Sequence, residues 1–172
     1  MHVLVTAASK HGSTAEIATW IGEALQGEGV EAVVLEPDAV TSVAGYDAVV
    51  LGSGVYAGRW LGPAKSFATR FSGQLQHGRT WIFSSGPLGD PLKPDETPAD
   101  VPEMLTLTGA RDHRLFPGLI DKSKLGLAEK AILAVVKAPP GDFRQRDDVV
   151  EWGRGIAWTV AEEIGGVTAS LD

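Results

Sequence analysis

The stretch HVLVTAASKHGSTAEIATWIGEAL, His2 to Leu25, changes its hydrophobic period midway. It begins as a short apolar run rich in β-branched residues, the pattern of a strand covered on both faces. It ends with Ile17, Ile21, Ala24 and Leu25 at helical spacing, and Gly27 to Gly29 then stop the helix because glycine readily takes the left-handed conformation at a helix end. Between the two lies a loop of hydroxyl side chains with one glycine and one histidine. Strand, polar loop and helix in that order predict the opening of a parallel α/β unit.

The alternation continues along the chain. VEAVVLEP, YDAVVLGSG, RTWIFSSG and DHRLFPGLI read as four further strands, and Pro63 to Leu75 reads as a helix with Phe67, Ala68 and Phe71 on its apolar face. Five prolines between Pro87 and Pro102 mark a surface loop leading into a short helix over Pro102 to Thr108. DDVVEWGRGIAWTVAEEI reads as the closing helix, with Asp147 as its cap. The expected fold is α/β, a doubly wound five-stranded parallel sheet in one domain spanning residues 1–172.

One amphipathic segment is additional. In KSKLGLAEKAILAVVKAPPG, Leu125, Ala128, Ile132, Val135 and Val136 share a helical face while Lys130 and Lys137 lie opposite. Four lysines against two acids between Asp121 and Lys137 suit either an edge helix packed on the sheet or peripheral contact of Lys122–Lys137 with an anionic membrane surface.

Composition excludes several classes. A net charge of −7 leaves no basic stripe for nucleic acid. The absence of cysteine rules out disulfides, thiolate nucleophiles and Fe–S ligation, so any redox chemistry must come from a bound cofactor. No export signal opens the sequence, and no apolar run approaches the roughly 20 residues of a transmembrane segment. The cytoplasm is the expected location.

Three loops at the carboxyl ends of predicted strands carry the functional signal. The loop after the first strand feeds a helix N-terminus, where unpaired N–H groups and the macrodipole favour an anion, and Ser9, Ser13 and Thr14 can add donors. The same residues also serve as ordinary helix caps. It is not a nucleotide P-loop, because no Gly-Lys-Ser or Gly-Lys-Thr triplet follows the strand. LGSGVYAGRW, after the third strand, contains the loose dinucleotide pattern Gly52, Gly54, Ala57, but on the wrong strand and without a downstream acid. SSGPLGD follows the fourth strand. In an open doubly wound sheet the three loops converge at the topological switch point. A flat, partly apolar ligand bearing a phosphate fits them, and flavin mononucleotide (FMN) has that description. Tyr56 and Trp60 are candidates either for stacking on its ring or for ordinary core packing.

With these loops in view, the chain resembles the flavodoxin-like proteins, and most closely the flavodoxin-domain proteins of the menaquinone-dependent protoporphyrinogen oxidase type. The resemblance rests on TAASKHGSTAEIATWI, on YDAVVLGSGVYAGRWLGPAKSFATRF, and on the late DKSKLGLAEKAILAVVKAPPGDFRQRDDVVEWGRGIA, which includes the inserted helix. It implies sheet order 2-1-3-4-5, FMN as cofactor, and electron transfer through the bound flavin to a quinone or a redox protein partner. The alternative is a diffusible electron carrier whose acidic surface docks basic redox partners; a third is an interaction domain without flavin.

Carried over by position, the phosphate loop is Ser9, Lys10, His11, Gly12, Ser13 and Thr14. The first ring-flanking loop is Ser53, Gly54, Val55, Tyr56, Ala57, Gly58 and Trp60, and the second is Ser85, Gly86, Pro87, Leu88, Gly89 and Asp90. No side chain is expected to act as general acid or base. His11 stands where flavodoxins usually have threonine, and Tyr56 and Ala57 stand where the oxidase has arginine and tyrosine. Arg59, Arg111, Arg114, Lys122 and Lys124 are candidate contacts for substrate carboxylates.

Overall fold

A computed structural model of the chain describes residues 1–86, 97–121, 123–127, 130–131 and 140–169, the side chains of residues 167–169 excepted. The elements are β1 (His2–Ala8), α1 (Ser13–Gly27), β2 (Glu31–Leu35), a 3-10 turn (Pro37–Ala39), β3 (Ala48–Tyr56), β4 (Arg59–Trp60), α2 (Gly62–Arg70) and α3 (Ser72–His77), then β5 (Thr80–Gly86), α4 (Val101–Thr108), β6 (His113–Pro117), β7 (Leu119–Ile120), β8 (Gly141–Asp142) and α5 (Arg146–Ala169).

The main sheet runs β2-β1-β3-β5-β6 with every neighbouring pair parallel. For the five long strands in chain order this is the expected order 2-1-3-4-5. Strands β1, β3 and β5 are apolar in near-continuous runs because helices cover both faces. On one face Val3, Val5, Val50 and Phe83 pack with Ile17 and Ile21 of α1 and with Trp152 and Ile156 of α5. On the other, Leu4, Leu51 and Ile82 pack with Phe67 of α2, Leu75 of α3 and Met104 of α4.

Four local features depart from the sequence expectation. The single helix expected over Pro63–Leu75 divides at Phe71, whose backbone leaves helical geometry as its ring turns into the core, 4.9 Å edge-on from Phe67. The fifth strand ends at Pro117, and Leu119–Ile120 pairs instead with Gly141–Asp142 in a separate antiparallel ribbon. Helix α5 starts at Arg146, so Asp147 lies within its first turn and meets the positive end of the dipole rather than capping it. Strand β4, antiparallel to β3, was not expected.

Of the inserted segment, Leu127, Lys130 and Ala131 are helical, and the Lys130 N–H donates to the Gly126 carbonyl at 3.0 Å. Most of the expected helical face lies outside the described residues. No helix among the described residues is long and apolar enough to cross a membrane.

Candidate functional site

The carboxyl ends of β1, β3 and β5 meet as the sheet order requires. After β1 the chain turns at Gly12, whose φ of +91° is open to glycine and strained for other residues, and enters α1 with no side chain capping it. The Ser9 hydroxyl accepts the Gly12 N–H at 3.1 Å. The Ser13 hydroxyl accepts the Leu119 N–H at 3.2 Å. A hydroxyl that accepts keeps its own proton to donate, so both remain donors beside the first turn of α1.

After β3 the chain makes a two-residue hairpin. Ala57 (φ 48°) and Gly58 (φ 75°) form the turn, and Tyr56 faces Arg59 while Val55 faces Trp60 across the ladder. Two left-handed residues match the twist of paired strands. The hairpin is clasped from outside: Asp100 accepts the Trp60 N–H at 2.7 Å and an Arg59 guanidinium N–H at 3.2 Å, and the Ala99 N–H donates to the Gly58 carbonyl at 2.9 Å. At its base the Ser53 hydroxyl accepts the Leu61 N–H at 2.9 Å and donates to the Gly54 carbonyl at 2.8 Å. Tyr56 faces the loop after β1, with the Lys10 ammonium 4.8 Å from its ring centre and the His11 ring edge-on at 6.0 Å.

Beyond β5 the wall is built by Gly118–Asp121 and Leu125, which the sequence did not reveal as part of the site, and by Lys124, which it named as a candidate substrate contact. The Gly118 N–H donates to the Gly86 carbonyl at 2.9 Å, and a Cβ on Gly118 would come within 3.0 Å of the Gly86 main chain. Close approach here turns Leu119 and Ile120 toward α1. Asp121 follows, its carboxylate accepting both the N–H (2.9 Å) and the hydroxyl (2.6 Å) of Ser123, bonds that hold its pKa below the usual carboxylate range.

These walls border a cleft whose space, open solvent included, is about 830 Å³. Ser9, Lys10, His11, Ser13, Thr14, Gly54, Val55, Tyr56, Ala57, Ser85 and Gly86 line it, together with Gly118, Leu119, Ile120, Asp121, Lys124 and Leu125. Four residues named from sequence do not: Gly12 and Gly58 shape the two turns, Ser53 is buried at the hairpin base, and Trp60 is a core residue whose indole N–H donates to Ser84 at 2.8 Å. Pro87, Leu88, Gly89 and Asp90 lie outside the described residues, as does Lys122. Arg59 and Arg111 are engaged elsewhere, with Asp100 and Glu163 respectively, and Arg114 is not in the wall.

The donor set fits a phosphate-bearing planar ligand. The lining combines the uncapped helix terminus, the hydroxyls and the Lys10 and His11 side chains with the apolar surface of Val55, Tyr56, Leu119, Ile120 and Leu125. Polar groups of this kind can satisfy a phosphoryl group, and apolar ones can shield a ring system from water.

The flavodoxin domain family model matches residues 4–147, and the chain belongs to that family, whose cofactor is a flavin, usually FMN. No curated protein matches the chain. Among solved structures, a flavodoxin from the domain Archaea aligns with a TM-score of 0.62 at 18% identity, covering 93% of this chain and 99% of that one. Oxidised Flavodoxin 1 from Bacillus cereus aligns at 0.59 and 14% identity, covering 91% and 97%. The rubredoxin oxygen:oxidoreductase of Desulfovibrio gigas aligns at 0.64 and 17% identity over 95% of this chain but only 37% of its own. At these identities the structural likeness establishes the fold.

Proposed function

We propose that the chain is an FMN-dependent oxidoreductase of the menaquinone-linked protoporphyrinogen oxidase kind, one flavin-binding domain over residues 1–172 that works in the cytoplasm and touches the inner membrane face through Lys122–Lys137. The observation that carries this is the additional wall of Gly118–Asp121, Lys124 and Leu125, which lines the cleft beyond the three loops at the strand ends. An electron carrier needs only an exposed ring edge, whereas an enzyme gains from a pocket that positions a small molecule against its cofactor.

Bound FMN supplies the redox chemistry, which no side chain of a cysteine-free chain provides. Ser9, Ser13, Thr14 and the N-terminal N–H groups of α1 hold its phosphate. Tyr56, Val55 and the Leu119–Ile120 strand shield its ring from water. Lys10 and Lys124 at the cleft favour an anionic substrate group, and no wall residue is required as general acid or base.

The test is anaerobic mixing of the FMN-loaded protein with protoporphyrinogen, followed by menaquinone in anionic vesicles. Bleaching of the flavin by the first and recovery by the second support the proposal; a flavin left oxidised by protoporphyrinogen refutes it.

The net charge of −7 favours a second reading, a diffusible carrier that docks basic redox partners by electrostatic steering. Reduction by a reductase would then slow steeply as salt rises, while vesicles would change nothing.

A further inference from the structure

We propose that Arg144 is a positioning residue of the flavin site, holding the Leu119–Ile120 wall against the helix that receives the phosphate; the proposal rests on the FMN reading above. Arg144 lies between β8 and α5, and its side chain is 7% exposed. Its Nε and one terminal nitrogen donate to the two oxygens of Asp142 at 2.8 and 2.7 Å, and its backbone N–H donates to Asp142 at 3.1 Å. The other terminal nitrogen donates to Glu16, and the guanidinium lies 5.0 Å from the centre of the Trp20 ring.

Both acceptors connect to the cleft. Asp142 faces Leu119 across the β7–β8 ladder, and Gly141 faces Ile120, so the forked bond to Asp142 fixes the strand that forms the wall. The Phe143 N–H adds a bond to the Gly118 carbonyl at 3.2 Å. Glu16 stands in the first turn of α1, the turn that carries Ser13, Thr14 and the helix's N-terminal N–H groups. Arg144 therefore ties the β7–β8 ribbon to the first turn of α1 without lining the cleft.

The guanidinium suits this role. Its planar fork engages one carboxylate with two parallel bonds and leaves a third direction for another, and its face stacks on an indole. Its hydrogen bonds to Asp142 and Glu16 hold its own pKa above the usual guanidinium value, and those to Asp142 depress that carboxylate. Without it, the hydrogen-bonded bridge between Asp142 of β8 and Glu16 of α1 is lost, and β8, with β7 paired to it, is released from α1.

Arg146 provides an internal control. It approaches the same Trp20 ring at 6.0 Å and pairs with Glu23 at 2.8 Å, but makes no bond to the β7–β8 ribbon.

The experiment compares wild type, Arg144→Gln, Glu16→Gln and Arg146→Ala, each checked for folding by thermal melting without flavin. FMN affinity is read from fluorescence quenching, and the ring environment from visible circular dichroism at saturating FMN. The expected result is affinity weakened roughly tenfold in Arg144→Gln and several-fold in Glu16→Gln, as for other groups that orient a ligand's direct contacts. An altered flavin dichroism band should accompany the loss, with Arg146→Ala unchanged on both measures. Glu16 is half exposed, so Glu16→Gln carries the test if Arg144→Gln fails to fold. Wild-type affinity and dichroism in Glu16→Gln and in any folded Arg144→Gln overturn the role of Arg144. Absence of FMN binding by the wild type instead overturns the flavin reading on which it rests.

Discussion

Asp100 reaches across forty residues to accept the main-chain N–H of Trp60 at 2.7 Å from a position that is itself only 4% exposed. The same carboxylate receives Arg59 at 3.2 Å and lies 3.7 Å from the Lys65 ammonium. One buried anion thus fixes the returning strand of the hairpin that carries Tyr56.

Replacing Asp100 with alanine leaves a buried N–H without its acceptor, and we expect a loss of about 2–3 kcal/mol in urea unfolding. Asp100→Asn keeps an acceptor oxygen and should lose less. Equal losses in the two variants would show that charge, rather than the hydrogen bond to Trp60, holds the hairpin.

Ala57 is the only non-glycine residue with positive φ among those described, at 48°. A Cβ in that region is strained by about 1–2 kcal/mol, partly offset in a glycine variant by the greater freedom of its unfolded chain. Ala57→Gly should raise stability by roughly 0.5–1 kcal/mol. An unfolding midpoint equal to or below that of the wild type would mean that the turn is not held in this conformation in solution.

A methyl group at Gly118 meets backbone, not a yielding side chain, 3.0 Å from Gly86. Gly118→Ala should cost about 1–3 kcal/mol, the usual range for overpacking. It should also weaken FMN binding by displacing Leu119 and Ile120. Stability loss with unchanged affinity would remove that segment from the site.

His113 gives the chain an acid-sensitive position. Burial lowers its pKa below 6.5, and neighbouring Asp112 only partly counters this. Its Nε2 lies 2.8 Å from the Ser84 hydroxyl, which also accepts the Trp60 indole N–H. A depressed folded-state pKa means that the stabilisation is present above pH 6.5 and is lost as pH falls toward the folded value. Denaturant midpoints should therefore decline below pH 6.5 more steeply in the wild type than in His113→Gln. Parallel declines would assign the acid sensitivity to other groups.

The sheet was legible because β1, β3 and β5 are continuous apolar runs and α1 announces its face through Ile17 and Ile21. The loop after β1 drew notice for a related reason, since a hydroxyl-rich stretch lies between those two periods, where it suits either an anion or a helix cap. The hairpin was not, because its turn residues Ala57 and Gly58 lack the Asn-Gly signature, and only tertiary bonds to Asp100 and Ala99 fix it. Trp60 remained ambiguous until its partner Ser84, distant in sequence, came into view. Of the further wall the sequence named Lys124 alone; for Gly118–Asp121 it offered the Pro117-Gly118 pair, which breaks a strand pattern without showing where the chain goes next.

The central claim is that the cleft among these loops holds FMN. Its most direct test is titration of the purified chain with FMN, following absorbance and fluorescence. Saturable quenching with shifted flavin bands is the predicted result. A spectrum that stays unshifted and a fluorescence that stays unquenched at high FMN would contradict the claim and leave the Ser9–Thr14 loop as a helix cap alone.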